Sequence, residues 1–197
     1  DHMMLDGLED AYEAGRSMGT FGEDCAAKYN FTRDAQDKFA MASVQRAQDA
    51  IKNGAFKDEI APVTVKDRKG ERVVDTDEGP GKINIDKIPT LKPAFKKDGT
   101  VTAAASSSIN DGAAAMVLMR ESTAKKLGVK PLARIVSHAT HAQEPEWFST
   151  APIGATEKAL EKAGWKVDDV DLWEINEAFA VVPMALMHDL KVPHDKV

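Results

Sequence analysis

Asn176 is the residue with the clearest opportunity for chemistry. The run Asp171-Leu172-Trp173-Glu174-Ile175 before it reads as a short buried strand. The stretch from Ala178 to Met187 after it is apolar on nearly every side, the pattern of a helix buried in a core. Asn176 therefore stands where a strand is expected to end and a helix to begin, the place where α/β proteins commonly hold ligands. Its side chain can cap the helix through the carbonyl oxygen, or it can aim an amide at a small molecule. Both readings stand on these residues alone.

A second candidate is the stretch Val101 to Gly112, which is small and polar apart from Val101 and Ile109. Alanines and serines let a backbone approach a ligand closely, and hydroxyls supply short donors and acceptors. A tight loop whose Ser and Asn side chains bond locally is the plainer reading. Cys25 could attack a carbonyl in principle. With Ala26 and Ala27 beside it and no histidine close in sequence, it reads as a buried structural thiol. His138 and His141 are spaced H-x-x-H, but on an expected strand that spacing puts them on opposite faces. No cysteine or acidic pair lies near them, so no metal site is expected. Lys66, Arg68, Lys69, Arg72, Lys82, Lys87, Lys92, Lys96 and Lys97 give the middle of the chain a basic bias. That is a solvated surface or an electrostatic landing area for an anionic cofactor. Neither a Gly-rich phosphate loop nor a G-x-S-x-G nucleophile elbow occurs.

The elements that must position these residues follow from periodicity and punctuation. Met4, Leu5, Leu8 and Tyr12 are at helical spacing. Gly15 and Gly19 punctuate, and a second short helix is expected from Gly22 to Tyr29. Thr32 can cap a long helix from Arg33 to Lys52 that stops at Asn53-Gly54. Its expected inner face is Ala35, Phe39, Ala42, Ala47, Ala50 and Ile51, with Arg46 snorkelling out. Glu59 to Val65 and Arg72 to Asp75 read as a strand pair around the turn Lys66 to Gly70, with Pro62 favouring an edge. Thr76 to Thr100 is polar, rich in Gly and Pro and nearly aperiodic; loops of that length are uncommon and often functional. Ala113 to Met119 reads as a strand buried on both faces, Glu121 to Leu127 as a helix ended by Gly128, and Leu132 to Ala139 as a strand. The next helix has Pro152 in its first turn and Gly164 at its end. Ala155, Ala159, Leu160 and Ala163 face inward there. Alternating strands and helices indicate a layered α/β domain.

Composition narrows the function classes. With 43% hydrophobic and 29% charged residues, the 197-residue chain is an ordinary globular sequence with enough length for a core. The net charge of -6 argues against a general nucleic-acid binder. No apolar run approaches the roughly 20 residues of a membrane helix. The single cysteine excludes an internal disulfide framework and fits a reducing compartment, so a cytoplasmic protein is expected. Asp1-His2-Met3-Met4 at one end and Val192 to Val197 at the other suggest a piece of a longer protein.

Three groups of residues, in this order along the chain, resemble the thiolase family: Met18-Gly19-Thr20 with Glu23; Thr102-Ala103 with Ser107 and Asp111-Gly112-Ala113-Ala114-Ala115; and Asn176-Glu177-Ala178-Phe179. Each is weak alone; the ordered set spans essentially the whole chain. The acetyl-CoA acetyltransferase and 3-ketoacyl-CoA thiolase branch is the nearest type.

The resemblance implies an α/β fold with an αβαβα layered core, here partial, carrying a helical, loop-rich inserted lobe. Residues 1–100 would be mostly that coenzyme A-covering loop domain, and residues 101–197 the first part of the C-terminal half. It implies reversible cleavage or condensation of 3-ketoacyl-CoA through an acyl-cysteine, with coenzyme A and acyl-CoA as substrates and no covalently bound cofactor. A homo-oligomer is implied as well. Asn176 would orient a water in the oxyanion hole. Ser107 would bond the pantetheine arm, Ala103 and Phe95 would line its tunnel, and Met18 and Phe179 would line the acyl pocket. The family's nucleophilic cysteine, its Gly-His-Pro histidine and its second catalytic cysteine have no counterpart in these 197 residues. The isolated chain is therefore expected to be inactive, and a non-catalytic CoA- or acyl-binding or dimerisation module is the alternative. Ser17 stands where biosynthetic members often carry a histidine, and Ala105 where many carry an asparagine. Glu78 to Lys82 does not match the family's adenosine-contacting arginine segment. Pro183 is expected to kink the helix after Asn176.

Overall fold

The computed structural model describes residues 2–68 and 70–197; Asp1 and Lys69 lie outside the described residues. Two compact units divide the chain. One holds the described residues up to Ser108 together with Ala178–Val181; the other holds Ile109–Glu177 and Val182–Val197.

In the first unit, Met3–Leu8 forms a short π-helix with no buried residue, and Tyr12 is 82% exposed, so the expected amphipathic helix through Tyr12 does not form. Helix α1 (Met18–Tyr29) starts four residues earlier than the sequence suggested, with Gly19 and Gly22 inside it, and ends at Asn30 in the left-handed region. Helix α2 (Arg33–Lys52) is capped by Thr32, whose Oγ1 accepts from the Ala35 amide at 3.1 Å. Asn53 closes it as expected.

Of the expected inner face of α2, Phe39 is buried, and Ala35, Ala42, Ala47, Ala50 and Ile51 are only half-buried; the fully buried side is centred elsewhere. It is Gln36, Asp37, Phe39, Ala40 and Val44, while Arg46 is exposed. Asp37 tolerates burial because it is bonded, and Gln36 is bonded through its amide nitrogen while its Oε1 is buried with no partner among the described residues. Asp37 takes both bonds of the Arg33 Nε at 2.9 Å, and Gln36 Nε2 donates to Thr100 Oγ1 at 2.9 Å.

The same helix orders the aperiodic stretch from Thr76 to Thr100. Arg33 Nη2 donates to the carbonyls of Ile88, Pro89 and Leu91 at 3.2, 3.4 and 2.8 Å. Gln48 Nε2 donates to the Pro80 carbonyl at 2.8 Å and to that of Ile83 at 3.3 Å. The loop also carries local structure: helical turn α3 (Glu78–Gly81) capped by Asp77, and a 3₁₀ turn (Ile85–Thr90) capped by Asn84. Ile88 is its apolar anchor, 1% exposed. Polar side chains of a helix thus do for this loop what periodic apolar residues do for an amphipathic element.

Strands β1 (Val63–Asp67) and β2 (Gly70–Val74) pair antiparallel, with Val65 opposite Arg72. The first strand starts four residues later and ends two later than the sequence pattern placed it, and the second starts two earlier and ends one earlier. This hairpin is the sole sheet among the described residues.

In the second unit, α4 (Glu121–Leu127) ends at Gly128 and α5 (Ala151–Ala163) at Gly164, both glycines left-handed. Ala155, Ala159, Leu160 and Ala163 are half-buried, and Glu157, Lys158, Glu161 and Lys162 are exposed, as expected. Helix α6 spans Val181–Leu190 and is buried at Val181, Val182, Ala185 and Leu186. Pro183 lies in its first turn, where a missing N–H leaves no helical bond unmade, so it does not interrupt the helix.

The runs Ala113 to Met119, Leu132 to Ala139 and Asp171 to Ile175 adopt no regular secondary structure and form no ladder among the described residues. Met116 and Val117 are 80% and 83% exposed. Apolar content specifies that a segment seeks burial on both faces; a strand exists only where another strand supplies the hydrogen bonds.

Candidate functional site

Five of the six proposed site residues, Met18, Phe95, Ala103, Ser107 and Phe179, belong to the first unit; Asn176 belongs to the second. Two devices bring Phe95, Ala103, Ser107 and Phe179 together. The first is the glycine face of α1. Gly19 and Gly22 are one turn apart on the same side of the helix. A Cβ at Gly19 would overlap the Phe95 ring, and one at Gly22 would sit 3.4 Å from the Phe179 ring. Phe95 and Phe179 meet edge to face, with centroids 5.8 Å apart at an interplanar angle of 89°. That is the arrangement the aromatic quadrupole favours. Met18 opens α1 directly before Gly19 and is half-buried.

The second device is backbone pairing. Ser106 and Phe179 form an antiparallel bridge. The Ser107 amide donates to the Ala178 carbonyl at 3.0 Å, and the Ala180 amide donates to the Ala105 carbonyl at 2.9 Å. Ala103–Ala105 is a single 3₁₀ turn capped by buried Thr102, whose carbonyl also accepts from Ser106 Oγ at 2.8 Å. The small-residue stretch is thus a locally bonded turn, and it still presents Ala103 and Ser107 as exposed residues beside the Phe179 segment. The two sequence readings of this stretch are compatible.

Glu23 joins these devices. Its carboxylate, 6% exposed, accepts from the Thr100 amide at 2.8 and 3.0 Å, the Thr100 hydroxyl at 3.2 Å and the Val101 amide at 2.9 Å. A Cβ at Gly99 would overlap this carboxylate, so only glycine lets the loop close over it. Glu23 therefore ties α1 to the strand-like segment in which the Ala94 amide donates to the Val101 carbonyl at 2.9 Å, one residue from Phe95. Gly22 and Gly99 were not singled out in the sequence. The available signal was a glycine one turn after Gly19, and a glycine directly before the Thr100-Val101 amides.

Asn176 is exposed and lies in a segment without regular secondary structure. Helix α6 starts at Val181, so its cap position is Ala180, and Asn176, four residues earlier, does not cap it. Within the second unit, the Trp173 amide donates to the Lys196 carbonyl at 2.8 Å and Lys196 Nζ donates to the Val170 carbonyl at 2.9 Å. These bonds hold the segment leading to Asn176. Cys25 is 0% exposed, which matches its reading as a structural thiol. Among the described residues, no group of three or more His, Cys, Asp and Glu side chains converges as a metal site would require.

The described members of the basic stretch are exposed. Lys66 pairs with Glu71 at 2.6 Å, and Lys82 and Arg72 reach Glu78 at 3.2 and 3.3 Å. The Lys82 hydrogen bond, then the charges of Lys82 and Arg72, hold the Glu78 carboxyl below its usual range. Lys69 lies outside the described residues.

Comparison with known proteins decides the family. The model of the thiolase N-terminal domain matches residues 1–122, and that of the thiolase C-terminal domain matches residues 129–197. This chain belongs to the thiolase family. A probable acetyl-CoA acetyltransferase of Dictyostelium discoideum is 52% identical over 198 residues, covering 100% of this chain and 48% of that protein. An acetyl-CoA acetyltransferase of Shinella zoogloeoides is 50% identical over 194 residues, covering 96% of this chain and 48% of that protein. The crystal structure of the Bacillus anthracis acetyl-CoA acetyltransferase superposes with a TM-score of 0.93 at 42% identity, covering 99% of this chain and 50% of that one. The α/β, thiolase-like fold follows from that superposition, and this thiolase chain spans about half the length of the curated relatives it matches.

The packing of the aromatic pair makes a prediction. Gly19→Ala must displace the Phe95 ring, and overpacking of this kind costs about 1–3 kcal/mol. The double variant Gly19→Ala/Phe95→Ala is expected to lose less stability than the two single changes added together, because removing the ring makes room for the methyl group. Strict additivity in urea unfolding would contradict the contact.

Proposed function

We infer that the full-length protein is an acyl-CoA acyltransferase that cleaves or condenses 3-ketoacyl-CoA, such as acetoacetyl-CoA, with coenzyme A. A cysteine thiolate bonds to the C3 carbonyl carbon, the C2–C3 bond breaks, and C2 takes a proton and leaves as acetyl-CoA; the thiol of a free coenzyme A then takes the acyl group from the cysteine as acyl-CoA. The observation that carries this reading is the 52% identity along the whole chain to a protein named as a probable acetyl-CoA acetyltransferase. The motifs quoted above, carried in order, support it.

In this reading residues 1–100 are the coenzyme A-covering loop domain and residues 101–197 open the C-terminal half. Ser107 bonds the pantetheine arm, Ala103 and Phe95 line its tunnel, and Met18 and Phe179 line the acyl pocket. The contact between Phe95 and Phe179 supports assigning them to one continuous apolar surface. Asn176 holds a water whose dipole meets the negative charge developing on the thioester oxygen. The exposure of Asn176 and its position outside α6 are consistent with that task. The full-length protein is read as a cytoplasmic homo-oligomer. No helix among the described residues is long and apolar enough to cross a membrane.

Acetyl-CoA added to the full-length protein is expected to leave an acetyl group on a cysteine, seen as a mass increment. A protein that stays unmodified would overturn the reading. The 197-residue chain is expected to show no thiolysis, because its one cysteine is buried at Cys25. Titration calorimetry of that chain with coenzyme A addresses the alternative of a non-catalytic binding module: binding without turnover by the full-length protein would establish it.

A further inference from the structure

The segment before α5 contains a hydrogen-bond relay that fixes the protonation pattern of a histidine. Gln143 Nε2 faces the Trp147 carbonyl, with which it makes a short contact, and Thr150 Oγ1 at 2.7 Å. A carbonyl only accepts, so the Gln143 amide nitrogen must be on that side. Thr150 Oγ1 spends its own hydrogen on the Trp147 carbonyl at 3.0 Å, so it accepts from Gln143. Both amide hydrogens of Gln143 are then used, and its Oε1 is left facing His141 Nε2 at 3.2 Å. An amide oxygen also only accepts, so the hydrogen between them belongs to His141 Nε2. The other ring nitrogen, Nδ1, is buried with no partner among the described residues. The ring is wedged against α5, since a Cβ at Gly154 would stand 2.5 Å from it.

We propose that His141 is held as the neutral Nε2–H tautomer and that, through Gln143, it is a positioning residue for the turn Pro145–Thr150 that starts α5. The turn needs such a tether. It departs from helical geometry at Trp147, with φ -107° and ψ 18°, and its N-terminal residue Glu144 makes no side-chain cap. Gln143 supplies two donors to it, and His141 fixes which way Gln143 points. Gly154 makes the space that the ring occupies. None of this depends on the catalytic assignment.

Imidazole ¹⁵N spectra of the labelled 197-residue chain near neutral pH test the tautomer. The resonance lost in His141→Phe is expected to show an unprotonated Nδ1 and a protonated Nε2. An Nδ1–H tautomer, a doubly protonated ring or averaged shifts would overturn the proposal. Gln143→Glu tests the positioning. A carboxylate still accepts from His141 Nε2–H but cannot donate to the Trp147 carbonyl, so the tautomer is expected to persist. Amide exchange at Trp147 to Ala151 is expected to rise about tenfold, the scale of one lost hydrogen bond of ordinary strength. Exchange unchanged in Gln143→Glu would show that Gln143 does not hold the turn.

Discussion

Glu23→Ala is expected to destabilise the chain by about 3–5 kcal/mol, because it strands buried donors that have no other acceptor. The carboxylate takes the Thr100 and Val101 amides together with the Thr100 hydroxyl, and Val101 is 0% exposed. Water does not reach the Val101 amide to replace the lost bond. Glu23→Gln separates geometry from charge. A glutamine can keep its oxygen on the two amides and turn its nitrogen toward Thr100 Oγ1, so about 1 kcal/mol is expected. Urea unfolding checks both, with a fall in midpoint at constant slope. A loss under roughly 1 kcal/mol for Glu23→Ala would mean that the segment finds another way to satisfy its amides.

Asn176→Ala in the full-length protein is expected to lower kcat by about 10²–10³-fold, the scale on which a preorganised donor at a developing oxyanion acts. KM is expected to change much less, since the interaction strengthens only as negative charge forms. In the proposed role Asn176→Asp keeps the shape, removes the amide donor that holds the water and adds a negative charge to the site, so its loss should be at least as large. The same substitutions in the 197-residue chain should leave the unfolding midpoint nearly unchanged, because Asn176 is exposed and caps no helix there. Thiolysis kinetics with acetoacetyl-CoA give the catalytic readout. A kcat loss below roughly tenfold would remove Asn176 from the oxyanion role.

These two residues show how differently parts of the molecule could be read in advance. Asn176 was visible as a motif residue, yet the local reading of it as a helix cap failed, since only the folded chain shows where α6 starts. Glu23 was visible as part of a family motif. Its partners, Thr100 and Val101, lie 77 and 78 residues away, a pairing that no local pattern encodes.

What the sequence determined by itself are features set within a few residues. Thr32 and the left-handed Gly54 that follows Asn53 bound α2, and Gly128 and Gly164 end α4 and α5. These depend on side-chain oxygens near free amides and on left-handed φ values, which are local chemistry. The ordered motifs also sufficed for the family. Tertiary structure decided the rest. Gly19 and Gly22 look like breaks in a helix until Phe95 and Phe179 are packed on them. Asp37 and the amide nitrogen of Gln36 look solvent-facing until Arg33 and Thr100 bond them. Thr76 to Thr100 looks like an unstructured loop until α2 binds its carbonyls. For Ala113 to Met119, composition identified an apolar segment but could not make a strand. A helix closes its hydrogen bonds within its own residues, whereas a strand must find them on another segment.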